Sequence, residues 1–334
     1  MNVICFGEIM LRLSPFNYQR LEQSKRFNIE YGGSESNVAA SLAQLGVHTK
    51  YITRVPDHSF GLSALGWLAS VGVQTHQSIV GGDRLGVYYV ELGAGRRNSR
   101  VIYDRAQSGM ATLQPGMIDW AEILRDADWF HWSGITPSIS HSAALACKEA
   151  LIQARQAGVT ISCDLNYRSK LWKYGIDPHI IMPELIELSD VVVGDEDVLE
   201  IYFKIKSNGM LDAFEKMSLR FPNVNLISFT DREAFSATHN TYQGFLFHQG
   251  SITTSKKYDM PDIIDRIGTG DAFMAGLIYK LGPHIKNIND LSSVIEFATA
   301  TAVYKHYIPG DLNVFTVEDV ESLIKGSTGG KVKR

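Results

Sequence analysis

The stretch DRIGTGDAFMAGL, residues 265–277, gathers three glycines and two aspartates around one predicted helix start. From Phe273 onward, apolar residues recur at helical spacing, which predicts a helix that begins near Asp271. Gly268 and Gly270 then lie in the turn that leads into this helix. Free N–H groups at a helix N-terminus attract anions, and glycines let a phosphate approach the backbone closely. The stretch therefore predicts a phosphate-binding turn.

Asp271 needs a separate explanation, because a carboxylate beside a phosphate would repel it. In phosphoryl transfer a base accepts the proton of the attacking hydroxyl, while backbone N–H groups stabilise charge on the moving group. Gly268, Thr269, Gly270 and Asp271 offer both functions and form the candidate catalytic set. The alternative is that Asp271 only caps the helix and the glycines only shape a tight turn.

Composition narrows the class of protein. The 334 residues are 45% hydrophobic and 20% charged, as in an ordinary globular chain with a large core. A net charge of -4 without a dense basic run argues against nucleic-acid binding. Cys5, Cys147 and Cys163 form no CxxC pair and lie in apolar segments, which predicts reduced thiols in the cytoplasm. No segment has the pattern of a signal peptide or a membrane span.

Short β-rich runs alternate with longer amphipathic segments along most of the chain. The candidate buried strands are NVICFG, TKYITRV, DWFHWSG, VTISCDL, DVVVG and NLISFT. Predicted helices follow most of them, including two that end at Gly46 and Gly158. This alternation predicts an α/β fold with a mostly parallel central sheet between layers of helices.

Other segments alternate apolar and polar residues at period two. RFNIEYGG, LGVYYVEL and RVIYDRA predict a small antiparallel sheet exposed on one face, inserted as a lid at about residues 12–32 and 84–107. AFSATH and QGFLFHQ predict a hairpin in the C-terminal half. We expect one domain over residues 1–325 and a disordered tail at 326–334.

Several separated segments together resemble the ribokinase-like (PfkB) sugar kinases. They are, in order, the opening strand that ends in GE, YGGSESNVAASLAQLG from Tyr31, DLNYRSKLW from Asp164 and DRIGTGDAF from Asp265. The resemblance extends to about Val320. It implies a ribokinase-like three-layer α/β/α domain with a β-sheet lid, and a kinase in which Asp271 is the base.

Within that family, the segment GVYYVELGAGRRNSRVIYDRAQS resembles the enzymes that act on 2-keto-3-deoxygluconate. A planar arginine can grip the carboxylate of such a sugar acid with paired hydrogen bonds. The resemblance implies these substrate-binding residues: Gly32, Gly33, Asn37, Tyr88, Tyr103, Arg105, Asn166, Arg168 and Asp271. Without the resemblance, Arg105 would be an ordinary exposed strand residue and the tyrosines sheet-forming aromatics. Tyr88 and its neighbour Tyr89 should face opposite sides of the sheet.

The nucleotide side departs from the family pattern. The usual Asn-x-x-Glu, which organises magnesium through water, is replaced here by Gly-Asp-Glu-Asp at residues 194–197. Glu196 and Asp197 either orient hydrated Mg²⁺ or are only the acidic first turn of a helix. The nucleotide-binding residues implied by the resemblance are Gly194, Phe229, Thr230, Gly268, Gly270, Phe297 and Ala300.

Asp265 opens the glycine-rich segment and is a candidate ligand for a monovalent cation, as in some relatives. Arg266 replaces the threonine that usually follows it.

The activity implied is the ATP- and Mg²⁺-dependent phosphorylation of the 6-hydroxyl of 2-keto-3-deoxygluconate to 2-keto-3-deoxy-6-phosphogluconate. One alternative is a fructokinase or other sugar kinase of the same fold. Another is a catalytically silent sugar-acid-binding regulator, which the altered segment 194–197 leaves open and the retained Asp271 disfavours. An apolar face on a small lid also predicts a homodimer or higher homo-oligomer.

Overall fold

The order of strands and helices follows the predicted alternation. The computed structural model describes residues 1–283, 285, 288 and 290–326. The strands are β1 (Asn2–Phe6), β2 (Met10–Pro15), β3 (Phe27–Gly32), β4 (His48–Ile52), β5 (Arg54–Val55), β6 (Ile79–Val80), β7 (Gly86–Glu91), β8 (Arg100–Asp104), β9 (Trp129–Ser133), β10 (Thr160–Asp164), β11 (Val191–Val193), β12 (Leu226–Asp231), β13 (Asn240–His248), β14 (Ser251–Thr254) and β15 (Tyr258–Met260). The helices are α1 (Ser34–Gln44), α2 (Ser59–Ser70), α3 (Trp120–Ile123), α4 (Ile135–Ile139), α5 (His141–Gln156), α6 (Pro178–Ile186), α7 (Glu196–Phe203), α8 (Met210–Arg220), α9 (Thr269–Leu281), α10 (Leu291–Lys305) and α11 (Val317–Ile324).

The central sheet is mostly parallel and is covered on both faces. Six strands run parallel in the order β4-β1-β9-β10-β11-β12, and β13, β14 and β15 continue the sheet antiparallel. Along β1, Val3 and Cys5 pack into the core under α1, α2, α9 and α10, whereas Ile4 and Phe6 pack into the core under α5 to α8. This alternation on a doubly covered strand explains its continuous apolar sequence. The predicted three-layer α/β/α fold is confirmed.

The predicted hairpin of AFSATH with QGFLFHQ is wrong. Ala234 makes only an isolated bridge to Asn240, and the N–H of Phe235 donates to the carbonyl of His239, which closes a tight turn. That local bond uses backbone groups that a strand ladder would need. QGFLFHQ lies mostly in β13, which pairs with β12 and β14.

The lid is a separate four-stranded sheet in the order β3-β2-β7-β8. β2 pairs antiparallel with β3, and β7 with β8, but β2 and β7 are parallel, so the purely antiparallel prediction is wrong at this one pairing. The chain leaves the lid after β3 and passes through α1, β4 and α2 before β7, which provides the long crossover that a parallel pair needs. Arg12, Tyr88 and Tyr103 are register partners on the inner face.

Several loops meet where the lid approaches the central sheet. The carboxyl ends of β1, β10 and β12 and the N-terminal ends of α1 and α9 lie at this edge, the usual place for a ligand site in an open α/β sheet. The helix predicted to begin near Asp271 is α9, which begins at Thr269.

In the part of the chain that the structure describes, no helix is both long and apolar enough to cross a membrane. Apart from Gly326, the predicted tail lies outside the described residues.

Candidate active site

The turn before α9 has the geometry that its glycines suggest. Gly268 has a φ of +82°, and a Cβ there would come within 2.4 Å of the Asp311 carbonyl oxygen, so only glycine fits. At Gly270 a Cβ would meet no atom within 4 Å. The first N–H groups of α9 therefore open onto free space, as an anion site requires.

Asp271, in the first turn of α9, is held by two residues of α1. Asn37 Nδ2 donates to Oδ2 at 2.7 Å, and Ser34 Oγ donates to Oδ1 at 3.0 Å. Burial raises the pKa of Asp271 to about 7, the bond from Asn37 opposes this shift, and the negative charge of Asp164 adds to it. A carboxylate with a pKa near neutrality and an oriented side chain is suited to act as a general base.

A pocket of about 300 Å³ lies between the inner face of the lid and the α9 turn. The predicted substrate-binding and catalytic residues that line it are Gly33, Asn37, Tyr88, Tyr103, Arg105, Asn166, Arg168, Gly268, Thr269, Gly270 and Asp271. Gly32 lies directly behind the wall, where a Cβ would clash with the Asp311 carboxylate and the Tyr88 hydroxyl. The structure thus gathers this predicted set from five separate segments of the chain.

The lid wall of the pocket is aromatic and carries one arginine. Tyr88 and Tyr103 stack with their ring centroids 6.2 Å apart, and the Arg105 guanidinium lies 5.8 Å from the centre of the Tyr103 ring. Arg105 follows the end of β8 and is only 6% exposed, so the alternative of an exposed strand residue is wrong. Its Nε donates to Glu8 at 2.7 Å. Glu8 also accepts from Ser108.

Glu8 was not among the predicted site residues. Its signal was the GE that ends the opening strand, since a carboxylate directly after a buried parallel strand lies at the ligand edge of the sheet.

The opposite wall follows β10. Asn166 has a φ of +38°, its N–H donates to Asp164 at 3.2 Å, and its Nδ2 donates to Ser34 Oγ at 3.1 Å. Burial raises the pKa of Asp164 to about 6, and the positive charge of Arg168 opposes the shift. Arg168 is exposed at the pocket mouth and donates to the carbonyl of Tyr167 at 3.0 Å.

A buried ion network joins the lid to the α9 turn, and the sequence reasoning missed it. Arg12, on β2, is 1% exposed; its guanidinium donates to Asp311 at 2.5 Å and to Asp265 at 2.7 Å, and lies 3.2 Å from Glu30. Asp311 also lines the pocket between the lid and the α9 turn. The available signal was a charged residue inside the apolar strand MLRLSP.

The position expected to hold a monovalent cation is surrounded by protein cations. Besides Arg12, Asp265 accepts from the N–H of Gly310 at 3.1 Å. Lys305 is buried nearby, and its Nζ donates to the carbonyl of Ile308 at 2.9 Å. Burial lowers the pKa of Lys305, while the negative charge of Asp265 opposes that shift.

On the other side of the α9 turn lies an open groove of about 580 Å³. Its lining residues are Asp195, Glu196, Asp197, Phe229, Thr230, Asp231, Arg232, Tyr242, Thr269 and Gly270. Thr269, Gly270 and Arg232 also line the lid-side pocket. Two sites that share one anion-binding turn have the arrangement needed to pass a phosphoryl group between them.

The acidic residues 195–197 begin α7. The Asp195 carboxylate accepts from the N–H of Val198 at 3.0 Å as the N-cap, so Glu196 and Asp197 do form the first turn of a helix. They also line the groove, so the two interpretations of these residues are compatible. No group of three or more His, Cys, Asp or Glu side chains within the described ranges could hold a metal ion directly. An ion here would be held through water, as suits Mg²⁺.

Four predicted nucleotide-binding residues do not line this groove, and one of them, Gly268, lines only the lid-side pocket. Phe297 and Ala300 are buried in a separate cluster between α10 and α11, away from Phe229 and Thr230. Gly194 precedes α7, and its N–H donates to a sheet carbonyl, that of Ser228, at 2.9 Å. The expectation that adenine lies near Phe229, Thr230 and the helix that contains Phe297 and Ala300 is not supported by this placement.

Comparison with known proteins identifies the family of this chain. The model of the pfkB family carbohydrate kinases matches residues 1–305. A 2-dehydro-3-deoxygalactonokinase of Haloferax volcanii is 31% identical over 328 residues, which cover 98% of each chain.

Two solved structures superpose closely. The 2-dehydro-3-deoxygluconokinase of Thermotoga maritima has a TM-score of 0.91 and 38% identity, over 98% of this chain and 100% of that one. A PfkB family carbohydrate kinase from Listeria grayi has a TM-score of 0.91 and 32% identity, over 97% and 100%. Because the family match spans most of the chain and the α9 turn presents a buried aspartate beside an anion site, this protein belongs to the pfkB family of carbohydrate kinases.

Proposed function

We propose that this kinase transfers the γ-phosphoryl group of ATP to the 6-hydroxyl of 2-keto-3-deoxygluconate. The observation that supports the proposal is the polar pocket lined by Asp271 together with Arg105 and Arg168. Arg105 and Arg168 lie far apart in the sequence, yet both line this small cavity, where an acidic sugar would supply a negative charge. The two similar sugar-acid kinases point to the same substrate class.

The chain's own residues account for the chemistry. Asp271 accepts the proton of the sugar hydroxyl as its oxygen forms a bond to the γ-phosphorus. The bond from that phosphorus to the β–γ bridging oxygen breaks, and ADP leaves. The first N–H groups of α9 stabilise the charge on the moving group, and the pocket walls align the hydroxyl for in-line attack. The lid excludes water, which limits hydrolysis of ATP.

We assign the open groove to ATP. Phe229 and Thr230 on β12 offer a surface for the adenine, with its phosphates toward Thr269 and Gly270. Glu196 and Asp197 fit a role in orienting hydrated Mg²⁺, which supplies positive charge to the phosphates when bound.

We expect that this enzyme, unlike the relatives that use a monovalent cation, does not require one for turnover. Arg12 and Lys305 already supply positive charge next to Asp265, whose Oδ2 accepts from Arg12. Turnover with sodium and potassium replaced by a bulky organic cation should stay within about twofold of that in potassium buffer. An absolute potassium requirement would contradict this assignment.

The test of the substrate is ADP release with Mg-ATP against 2-keto-3-deoxygluconate, 2-keto-3-deoxygalactonate, fructose and ribose. Asp271→Asn should abolish most turnover, and Arg105→Ala should remove the preference for sugar acids over neutral sugars. Arg100→Ala is the matched control, since this lid arginine is exposed and pairs with Glu22 outside the pocket.

Each alternative function predicts a different result in these assays. Faster turnover of fructose than of either sugar acid would indicate a neutral-sugar kinase of the same fold. Binding of the sugar acid by calorimetry without any ADP release would indicate the silent regulator.

The lid also provides a surface for a second copy. Its outer face carries exposed apolar side chains on neighbouring strands, including Phe27, Ile29 and Ile102. Contiguous apolar patches of this kind mark association surfaces. We propose a homodimer in which the two lids pack face to face.

We also propose a cytoplasmic location. Cys5, Cys147 and Cys163 are all free and buried, and burial raises the pKa of each thiol, so they behave as inert core residues rather than as disulfide partners.

A further inference from the structure

Two arginines beside the α9 turn have no anionic partner. Arg232 follows the end of β12, and Arg266 lies in the loop that leads into α9. No hydrogen bond or ion pair joins either guanidinium to any of the residues that the structure describes. By contrast, Arg12 and Arg105, the buried arginines of the same region, each contact a carboxylate.

The two unpaired guanidinium groups interact with each other. Partial burial lowers the pKa of Arg266, and the positive charge of Arg232 lowers it further. Like charges held close together without a counter-ion are unfavourable, so the pair is arranged for an anion that binds from outside.

The position of the two arginines indicates which anion they would bind. Both arginines line the lid-side pocket next to Gly268, and Arg232 also lines the groove across the shared turn. The groove is otherwise acidic, because residues 195–197 and Asp231 line it. A polyphosphate would be repelled there unless local cations balance those carboxylates.

On the basis of the proposed function, we propose that Arg232 and Arg266 bind the terminal phosphates of ATP at the junction of groove and pocket. The planar guanidinium group is well suited to this, since it donates two parallel hydrogen bonds to phosphate oxygens. With the amides of the α9 turn, the pair would surround the γ-phosphoryl group during transfer. They would thereby supply positive charge where residues 194–197 depart from the family pattern.

The test is titration calorimetry in the presence of Mg²⁺. It compares the affinity for AMP-PNP, a non-hydrolysable ATP analogue, with the affinity for AMP. Arg232→Ala and Arg266→Ala should each weaken AMP-PNP binding by about ten- to a hundredfold, the usual effect of a lost hydrogen bond between charged groups. AMP, which lacks the terminal phosphates, should bind within about twofold of wild type, and the lysine variants should recover part of the loss. Arg125→Ala, at an exposed arginine after α3 outside both sites, is the matched control.

Steady-state kinetics add a second readout. KM for ATP should rise in both alanine variants by a larger factor than KM for the sugar acid, although both arginines also line the lid-side pocket. Unchanged AMP-PNP affinity in folded variants would overturn the proposal, and so would a loss confined to sugar-acid binding, which would assign the arginines to the substrate carboxylate. If the wild type phosphorylates none of the sugars but the AMP-PNP pattern holds, the substrate assignment fails and this inference stands.

Discussion

At the scale of single residues, the protonation of Asp271 should set the acid side of the pH profile. Its pKa is raised to about 7, and only the ionised carboxylate can accept the proton of the sugar hydroxyl. We therefore expect kcat/KM for the sugar acid to fall as the pH drops below about 7. Asp271→Asn should lower kcat by about 100-fold to 10,000-fold, the range for loss of a general base.

Ser34→Ala tests the cause of this profile. The Ser34 hydroxyl donates to the carboxylate and lowers the pKa of Asp271, so its removal should move the acid limb to higher pH while activity on the alkaline side is largely kept. A wild-type profile that is flat between pH 6 and 8 would contradict the role of Asp271.

The two glycines of the α9 turn should respond differently to alanine. Gly268→Ala forces a left-handed residue and a contact 2.4 Å from the Asp311 carbonyl, so it should lower the free energy of unfolding by about 1–3 kcal/mol. Gly270→Ala meets no neighbour in a helix and should leave stability equal or up to about 1 kcal/mol higher. Its methyl group, however, would point into the phosphate space and raise KM for ATP.

Urea unfolding and ATP kinetics on the two variants separate these effects. Equal destabilisation by both would mean that Gly270 is required by the fold rather than by the ligand.

Residues of the site were predictable where one segment carries its own signal. The α9 turn and Asp271 lie within four residues, so local spacing suggested a phosphate-binding turn with a base, and the family resemblance favoured this interpretation over a simple helix cap. The Arg12 network has no such signal, because Arg12 and Asp311 are 299 positions apart and meet only after lid and core have docked. The contact between Glu8 and Arg105 was not predictable for the same reason, because the two residues are 97 positions apart.

At the scale of elements, Glu35 connects α1 to the end of β9 and to α4. It is fully buried, and one carboxylate oxygen accepts from Ser133 and Thr136, while the other has no partner among the described residues. Burial raises the pKa of Glu35 to about 7, despite the hydrogen bonds from Ser133 and Thr136 that lower it. The folded state therefore holds this proton more tightly than the unfolded chain does.

This linkage makes stability depend on pH. As the pH rises from about 4.5 to about 7, the folded state should lose about 3 kcal/mol from this one group, and nothing further above that range. Glu35→Gln keeps an acceptor oxygen but cannot ionise, so the stability difference between variant and wild type should shift in favour of the variant across this window. Urea unfolding at pH 5, 6, 7 and 8 measures it, and a constant difference would show that Glu35 does not titrate there.

Elements with their own periodicity were also predictable. The predictions of the six parallel strands and of the helices that end near Gly46 and Gly158 were correct. Each of these elements buries a continuous or helically spaced set of apolar residues. The hairpin failed because alternation reports a strand but not its partner, and β13 found two other partners. The parallel pairing within the lid depends on a crossover through the core, which no local pattern reveals.

At the scale of the whole molecule, the outer face of the lid should control oligomeric state. Ile29 is 57% exposed on β3 and lies opposite Leu13 in the neighbouring strand, so it is central to the apolar face. In the proposed dimer, Ile29→Glu would bury a carboxylate without a partner, which is strongly unfavourable. Light scattering after size exclusion should give twice the mass of one chain for wild type and the mass of a single chain for the variant.

Leu219→Glu is the matched control, because Leu219 is 83% exposed on α8, away from the lid, and should leave the dimer intact. Loss of the dimer should also affect catalysis, since the inner face of the same sheet carries Tyr88 and Tyr103. A lid without its partner is less constrained, so KM for the sugar acid should rise in Ile29→Glu more than KM for ATP, whose groove lies across the α9 turn. A monomeric wild type at micromolar concentration, or an Ile29→Glu variant that remains dimeric, would exclude the lid as the interface.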